Sequence, residues 1–575
     1  MKTIGFALIG LLIASSLTLY CAPETSTAAK PPSKLPVLNA KVCAAIGGVW
    51  ASGKAPTCTV SSSAYHDTAV SFDVPAKVTL ALSVLFEITS STVTVTNHGT
   101  INTTNRFTVL GTFYNYGTFN ARASDGFFVN EGTAANSGTM NFGGTESFEN
   151  VGTFTNTGTI TGAAYVGNDG TFTNSGTIAS PGGLSNYGVF YNGGGTIAIA
   201  SGGSLNNAYL FTNDGVLTDG GRVENYLSFN NGGTLSILPG GDFVNYCSIA
   251  NTPGGSITVS NSGFGSSGIE DYYYNQCGGG FTTLSNSGTI TIENSGGTSY
   301  GIFSYGSISG NGTFDVRNSG DSSFGVYIYA PFTTSGNLTV ANSGTNSYGI
   351  YSQSGFPFVV AGTLAVQNSG NGSTGVYNGG STSLNNTGLI TVENSGTDSV
   401  GVDNHAAINN NATGRIAIGS TGVLDTAGYL YNLGELANAG SLANTGWVEN
   451  YGAVNNTGTI TTGTNSFSAV FHNEDGGSIT NHGTILALAG GASGGVGLVN
   501  LGAIANSGNL TIANSGFETT GMVNIGSVDQ DEDGTFAVET TADHSHGIEN
   551  YGNITSAGTI TVHNTCGGCT YGSTG

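Results

Sequence analysis

NVGTFTNTGTITGAAYVGNDGTFTNSGTI, residues 150–178, decides how the chain is built. Asn-x-Gly-Thr recurs in it, and an apolar residue follows each time. The same phrase returns as NHGTI at 97–101, NSGTI at 286–290 and NTGTI at 456–460. Asn150, Asn168 and Asn186 lie 18 and 18 apart, and Asn206, Asn225 and Asn245 follow at 20, 19 and 20. A longer unit takes over with Asn294, Asn318, Asn342, Asn368 and Asn394, at 24, 24, 26 and 26. Asn450, Asn473, Asn500, Asn524 and Asn550 are spaced 23, 27, 24 and 26. Self-similarity at such a period marks units that stack on one another.

Each unit reads as short strands joined by turns. In Thr289-Ile290-Thr291-Ile292 apolar side chains alternate with Thr, the period of a half-buried strand. Val392, Ile416, Ile418, Ile460 and Ile560 hold equivalent inward positions. The Asn-x-Gly corners suit left-handed backbone, which Gly and Asn adopt most cheaply. Asn recurring at one corner also suits a ladder in which each amide bonds the next coil. The fold expected is all-β: a right-handed parallel β-solenoid (β-helix) of about 20 coils. At ~4.8 Å per coil the rod is on the order of 100 Å long. A sandwich or propeller competes, but propeller blades need ~40 to 50 residues each.

Composition narrows the function classes. Of 575 residues 95 are Gly, and 8% are charged. The 34 acidic and 11 basic side chains leave a net charge of −23. Every Lys lies at or before position 77, and the five Arg are scattered at 106, 122, 222, 317 and 415. That excludes nucleic-acid binding by a basic patch, which needs clustered Lys and Arg. So much Gly argues against long helices. With 38% hydrophobic residues, the chain is not a disordered polymer.

The N-terminus has the layout of a secretory signal peptide, residues 1–20, with an N-terminal anchor helix as the other reading. A Pro/Ala/Ser/Thr linker spans 21–42. Cys21 stands where a lipoprotein signal places its acylated cysteine, although Tyr20 precedes it where that box wants a small residue. Cleavage near Ala28 or Ala29 would remove Cys21 instead. Cys43, Cys58, Cys247, Cys277, Cys566 and Cys569 remain, an even number that favours disulfides in an exported chain. Sequence neighbours are the expected pairs. Residues 43–96 read as an N-terminal cap, a disulfide loop followed by strands whose even positions from Val70 to Ile88 are nearly all apolar. The repeat domain covers 97–575. Gly572 falls inside a repeat, so either the last coil is uncapped or the sequence is cut short.

The units ENSGTDSVGVDN (393–404) and IANSGNLTIANSG (504–516) resemble the repeat arrays of bacterial surface β-solenoids, the autotransporter passengers and filamentous-haemagglutinin-like adhesins. The resemblance covers most of 97–572 and implies a secreted or cell-surface protein that adheres or forms a surface layer. It also implies other surface proteins, glycans or further copies of the chain as partners. Autotransporters carry a C-terminal membrane barrel, and this chain shows repeats to its end.

Several residues are candidates for chemistry. Asp529, Asp531, Asp533 and Gly534 match the opening of a Ca²⁺ loop, but Thr540 stands where the closing acid belongs. The alternative places Asp533-Gly534-Thr535 at an ordinary corner, with no cofactor. His544, His546, His563, Cys566 and Cys569 suit Zn²⁺, against a Cys566–Cys569 disulfide. Polysaccharide cleavage needs paired carboxylates or a carboxylate with a cation. Glu224, Asp242, Glu270 and Asp271 form no such motif, so catalysis is not expected. Thr-x-Thr repeats suggest hydroxyl arrays, but the uneven spacing argues against an ice-binding face. Tyr272, Tyr273, Tyr274, Tyr305 and Tyr329, with Phe303, Tyr327, Tyr348 and Tyr351, are candidates to stack on sugars or proteins. The competing expectation is coil-to-coil stacking in or against the core.

Overall fold

The computed structural model describes residues 34–564, apart from 62–64, 123–126, 181, 273–276, 278–281, 354, 380–382, 406–407, 412, 419–422, 427–429, 445–447, 465–469, 490–494, 517 and 542–544. The expected signal peptide, most of the expected linker and Cys21, Cys566 and Cys569 lie outside the described residues.

The chain is a right-handed parallel β-solenoid. Three short strands make each coil, and from Thr57–Val60 onward the strands pair in parallel with those three places away in the chain. Thr57–Val60, Thr79–Leu82 and Thr100–Thr103 open the first ladder. Tyr65–Thr68, Leu85–Ile88 and Phe107–Val109 open the second. Phe72–Val74, Thr94–Asn97 and Thr112–Asn115 open the third. Among the described residues the first ladder holds 24 strands, and all but Val49–Ala51 stack in parallel. About 20 coils were expected.

Parallel stacking thus begins well before residue 97. The alternating stretch expected as cap strands already forms solenoid coils, with Phe72, Val74, Leu80, Leu82, Phe86 and Ile88 buried. Its strict period of two is the period of every later coil, so the pattern alone could not separate cap from repeat. The end is closed by Cys43–Cys58, which ties helix Ala40–Ala45 to the hairpin of Val49–Ala51 and Thr57–Val60. Asn39 caps that helix, its Oδ1 accepting from the N–H groups of Lys41 and Val42 at 2.9 and 3.1 Å. Among the described residues no helix is long and apolar enough to cross a membrane.

The interior is a thin apolar column. Phe154, Phe172, Phe190, Phe211 and Phe229 stack ring on ring at 5.0, 4.7, 4.9 and 5.1 Å. Val392, Ile416, Ile418 and Ile460 are buried as their alternation demands, and Ile560 is half-buried.

Two polar devices lock the coils in register. The expected Asn ladder exists at all three corners. Along the second ladder the Nδ2 of each Asn donates to the Oδ1 of the next, from Asn150 through Asn168, Asn186, Asn207 and Asn225 to Asn245, at 2.7, 2.7, 2.8, 2.7 and 2.7 Å. The third ladder carries Asn97 to Asn286 and later Asn386 to Asn550. The first carries Asn261 to Asn368. The three series seen in sequence are therefore different corners of one rod. Asn207, not Asn206, is the ladder residue, because alternation turns Asn206 outward.

The second device corrects an expectation. The corner glycines Gly117, Gly138, Gly158 and Gly176 are absent from the left-handed residues. A Cβ on each would lie 2.2, 2.1, 2.1 and 2.1 Å from the carbonyl oxygen of the corner Gly one coil before. Glycine is required here for close approach of stacked backbones, not for an unusual φ.

Candidate functional site

The residue that follows the buried ladder position of the second ladder (Asn225, Asn245, Asp271, Ser304 and Ile328 in successive coils) turns outward at the corner. In five successive coils it is a tyrosine: Tyr226, Tyr246, Tyr272, Tyr305 and Tyr329. Their N–H groups donate to the ladder carbonyls of Asn207, Asn225, Asn245, Asp271 and Ser304 at 2.7, 2.8, 2.9, 2.8 and 2.8 Å. The structure thus brings Tyr272, Tyr305 and Tyr329 into one column. Tyr273 and Tyr274 lie outside the described residues. Tyr226 and Tyr246, which the sequence reading missed, extend the column. Their signal was a Tyr directly after the ladder Asn.

Two more columns run beside it. Phe303, Tyr327, Tyr351 and Tyr377 stack at 5.5, 4.8 and 4.6 Å. Tyr300, Phe324 and Tyr348 stack at 5.1 and 5.3 Å. All are half-exposed on the outward face of the second ladder. The rings do stack coil to coil, but outside the sheet and not in the core, because the outward positions of the pleat place them there. Most stacked neighbours are close to parallel, such as Tyr305 and Tyr329 at 4.8 Å and 7°. Each ring then covers its neighbour's face, and the hydroxylated edges face solvent. The Tyr327 and Tyr329 hydroxyls are 2.8 Å apart, and Tyr327 also donates to Gln353 Oε1 at 2.8 Å. Burial, then the Tyr329 hydrogen bond, pushes the Tyr327 hydroxyl pKa up.

Acids flank the aromatic columns at their N-terminal end. Glu224 accepts from the Tyr226 hydroxyl and from Arg222 Nε, both at 2.9 Å, and Arg222 also reaches Asp242 at 3.7 Å. Burial and the hydrogen bond to Glu224 push Tyr226 up to about 12. Tyr272 rises to about 12 through burial and its bond to Glu270. Asp271 is different. It is wholly buried in the Asn ladder, where Asn245 Nδ2 and Ser304 Oγ donate to it at 2.5 and 3.1 Å. Burial pushes its carboxyl up to about 6, and those two hydrogen bonds oppose the rise.

The remaining candidates disperse. Asp529 sits on the outward face of Ser527–Gln530, and Asp531 and Asp533 are exposed in the turn that follows. Gln530 takes the ladder position there, accepting from Asn506 at 2.7 Å. Among the described residues no three His, Cys, Asp or Glu side chains converge as metal ligands do. His544, Cys566 and Cys569 lie outside the described residues. Cys247 and Cys277 are joined as expected. The Thr-x-Thr pairs are divided among the three ladders: 153–155 and 171–173 stack in adjacent coils of the third, 159–161 and 289–291 lie on the first, and 459–461 and 559–561 on the second, so they form no single continuous face.

No protein-family model matches the chain, and no curated protein matches it. Among solved structures it is similar to the crystal structure of a TibC-catalysed hyper-glycosylated TibA fragment, at 15% identity over 71% of this chain and 99% of that one, with a TM-score of 0.17. A likeness at that score says nothing about function.

Proposed function

We propose that the protein is an exported rod at the cell surface or outside the cell, adhesive or structural in role, without catalysis or cofactor. The observation that carries this reading is the stack itself. Asn ladders running along all three corners, with Gly contacts at many of them, make an elongated scaffold whose sides present Thr, Ser, Asn and Tyr to solvent. The disulfides Cys43–Cys58 and Cys247–Cys277 support an oxidising compartment. The test is impermeant biotinylation of intact cells with thiol counting on the recovered protein. Labelled protein with Cys43, Cys58, Cys247 and Cys277 blocked supports the reading. Labelling only after lysis, with free thiols, overturns it.

A second reading, binding of glycans, is favoured by one observation: Tyr272, Tyr305 and Tyr329 share a column beside Glu224 and Glu270. A glycan array with a parallel turnover screen on acidic and neutral polysaccharides tests it. Absence of binding removes the second reading, and turnover removes the non-catalytic one.

A further inference from the structure

The tyrosine column has a gap. Tyr187 occupies the same corner position two coils before Tyr226, and the coil between them carries Ala208. The N–H groups of Tyr187, Ala208 and Tyr226 donate to Asn168, Asn186 and Asn207, each at 2.7 Å, which fixes the three at successive steps. Tyr226 stacks on Tyr246 at 4.7 Å and 11°, so its ring lies across the rod axis. Its other face points toward Ala208. Tyr187 is 62% exposed.

Two coil rises separate the Tyr187 and Tyr226 corners by ~9.6 Å. A ring packed on an aromatic face sits ~3.5–4.0 Å from it, so a sandwiched ring needs about 8 Å between walls. The gap is that wide, and a cavity of about 480 Å³ lies there, lined by Tyr187, Asn206, Ala208, Glu224, Tyr226 and Leu227. Glu224 and Asn206 occupy one register position on adjacent strands, so a carboxylate and an amide share one side of the gap.

From this geometry we propose that the Ala208 gap is a binding slot for a single neutral pyranose ring. Tyr187 and Tyr226 take the two ring faces, Ala208 leaves the space, and Glu224 and Asn206 bond the ring hydroxyls. The net charge of −23 on the chain disfavours anionic sugars, and the bonds that Glu224 accepts from Tyr226 and Arg222 hold it and one wall in place. The slot deepens the glycan reading of this face and is independent of export. An intracellular protein with a working slot loses the export reading alone, whereas a displayed protein with an empty slot loses this one.

The experiment is saturation-transfer NMR on the oxidised full chain with four probes: methyl β-glucopyranoside, methyl α-mannopyranoside, methyl β-galactopyranoside and methyl N-acetyl-β-glucosaminide. At least one is expected to give saturable transfer with a Kd in the millimolar range, ordinary for a single ring. Ala208→Tyr completes the column and is expected to weaken binding at least about tenfold while keeping the thermal midpoint. Tyr226→Ala is expected to do the same, and Tyr451→Ala, on the third ladder, to change nothing. No transfer from any of the four probes overturns the proposal, as does unchanged binding by Ala208→Tyr.

Discussion

Replacing Asp271 with Asn should stabilise the protein at neutral pH, and the size of the gain follows from its surroundings. Asp271 continues a ladder that Asn holds at Asn150, Asn168, Asn186, Asn207, Asn225 and Asn245. Burial raises its carboxyl from 3.8 to about 6. A folded-state pKa above the unfolded value means that the native state binds the proton more tightly. Its contribution is then most favourable below pH 4, declines between pH 4 and 6, and stays reduced above 6. A rise of about two units corresponds to about 3 kcal/mol. An Asn at 271 accepts from Asn245 as the carboxylate does, carries no charge, and can donate to Ser304. Urea unfolding of wild type and Asp271→Asn at pH 4, 5, 6 and 7.5 isolates this group, because the other carboxylates titrate in both proteins. The variant is expected to gain about 3 kcal/mol at pH 7.5 and nearly nothing at pH 4, with an unchanged urea slope. Parallel pH profiles, or a variant weaker at pH 7.5, would refute the reasoning.

Other perturbations reach the same contacts. Gly158→Ala places a Cβ 2.1 Å from the Gly138 carbonyl oxygen and should cost about 3 kcal/mol, whereas Gly53→Ala, with nothing within 4 Å, should stay within about 0.5 kcal/mol. Asn168→Ala strips the acceptor from Asn150 and the donor from Asn186, and is expected to cost about 3 kcal/mol in urea unfolding. Reducing Cys43–Cys58, which spans 15 residues, should lower stability by about 3 kcal/mol and open the first coil to protease, read as new cleavage between 43 and 60.

Much of the fold was legible because stacking imposes a period on the chain. The spacing of Asn150, Asn168 and Asn186 is the length of a coil, and the Asn ladder follows from an amide repeating at one corner. What the sequence hid is which corner. Asn318 and Asn473 look alike in the chain but stand on different ladders, and only pairing between strands separates them. The corner glycines were misread for a related reason: Gly138 and Gly158 touch across coils, and local turn chemistry does not show that contact. The aromatic cluster was visible, but its side of the sheet was not, since one residue of register moves a ring from core to solvent. The Ala208 gap has no sequence signature at all. It exists only as a missing tyrosine between Tyr187 and Tyr226 once the coils are aligned.

Small-angle X-ray scattering in solution tests the stacked rod most directly. A compact globule of 575 residues has a radius of gyration of about 25 Å. Stacked coils spaced ~4.8 Å apart make a rod on the order of 100 Å long, with a radius of gyration of about 32 Å and a skewed distance distribution. That profile, unchanged between 0.5 and 5 mg/mL, is the result expected. A symmetric distribution with a radius near 25 Å would contradict the stack and everything placed on its faces.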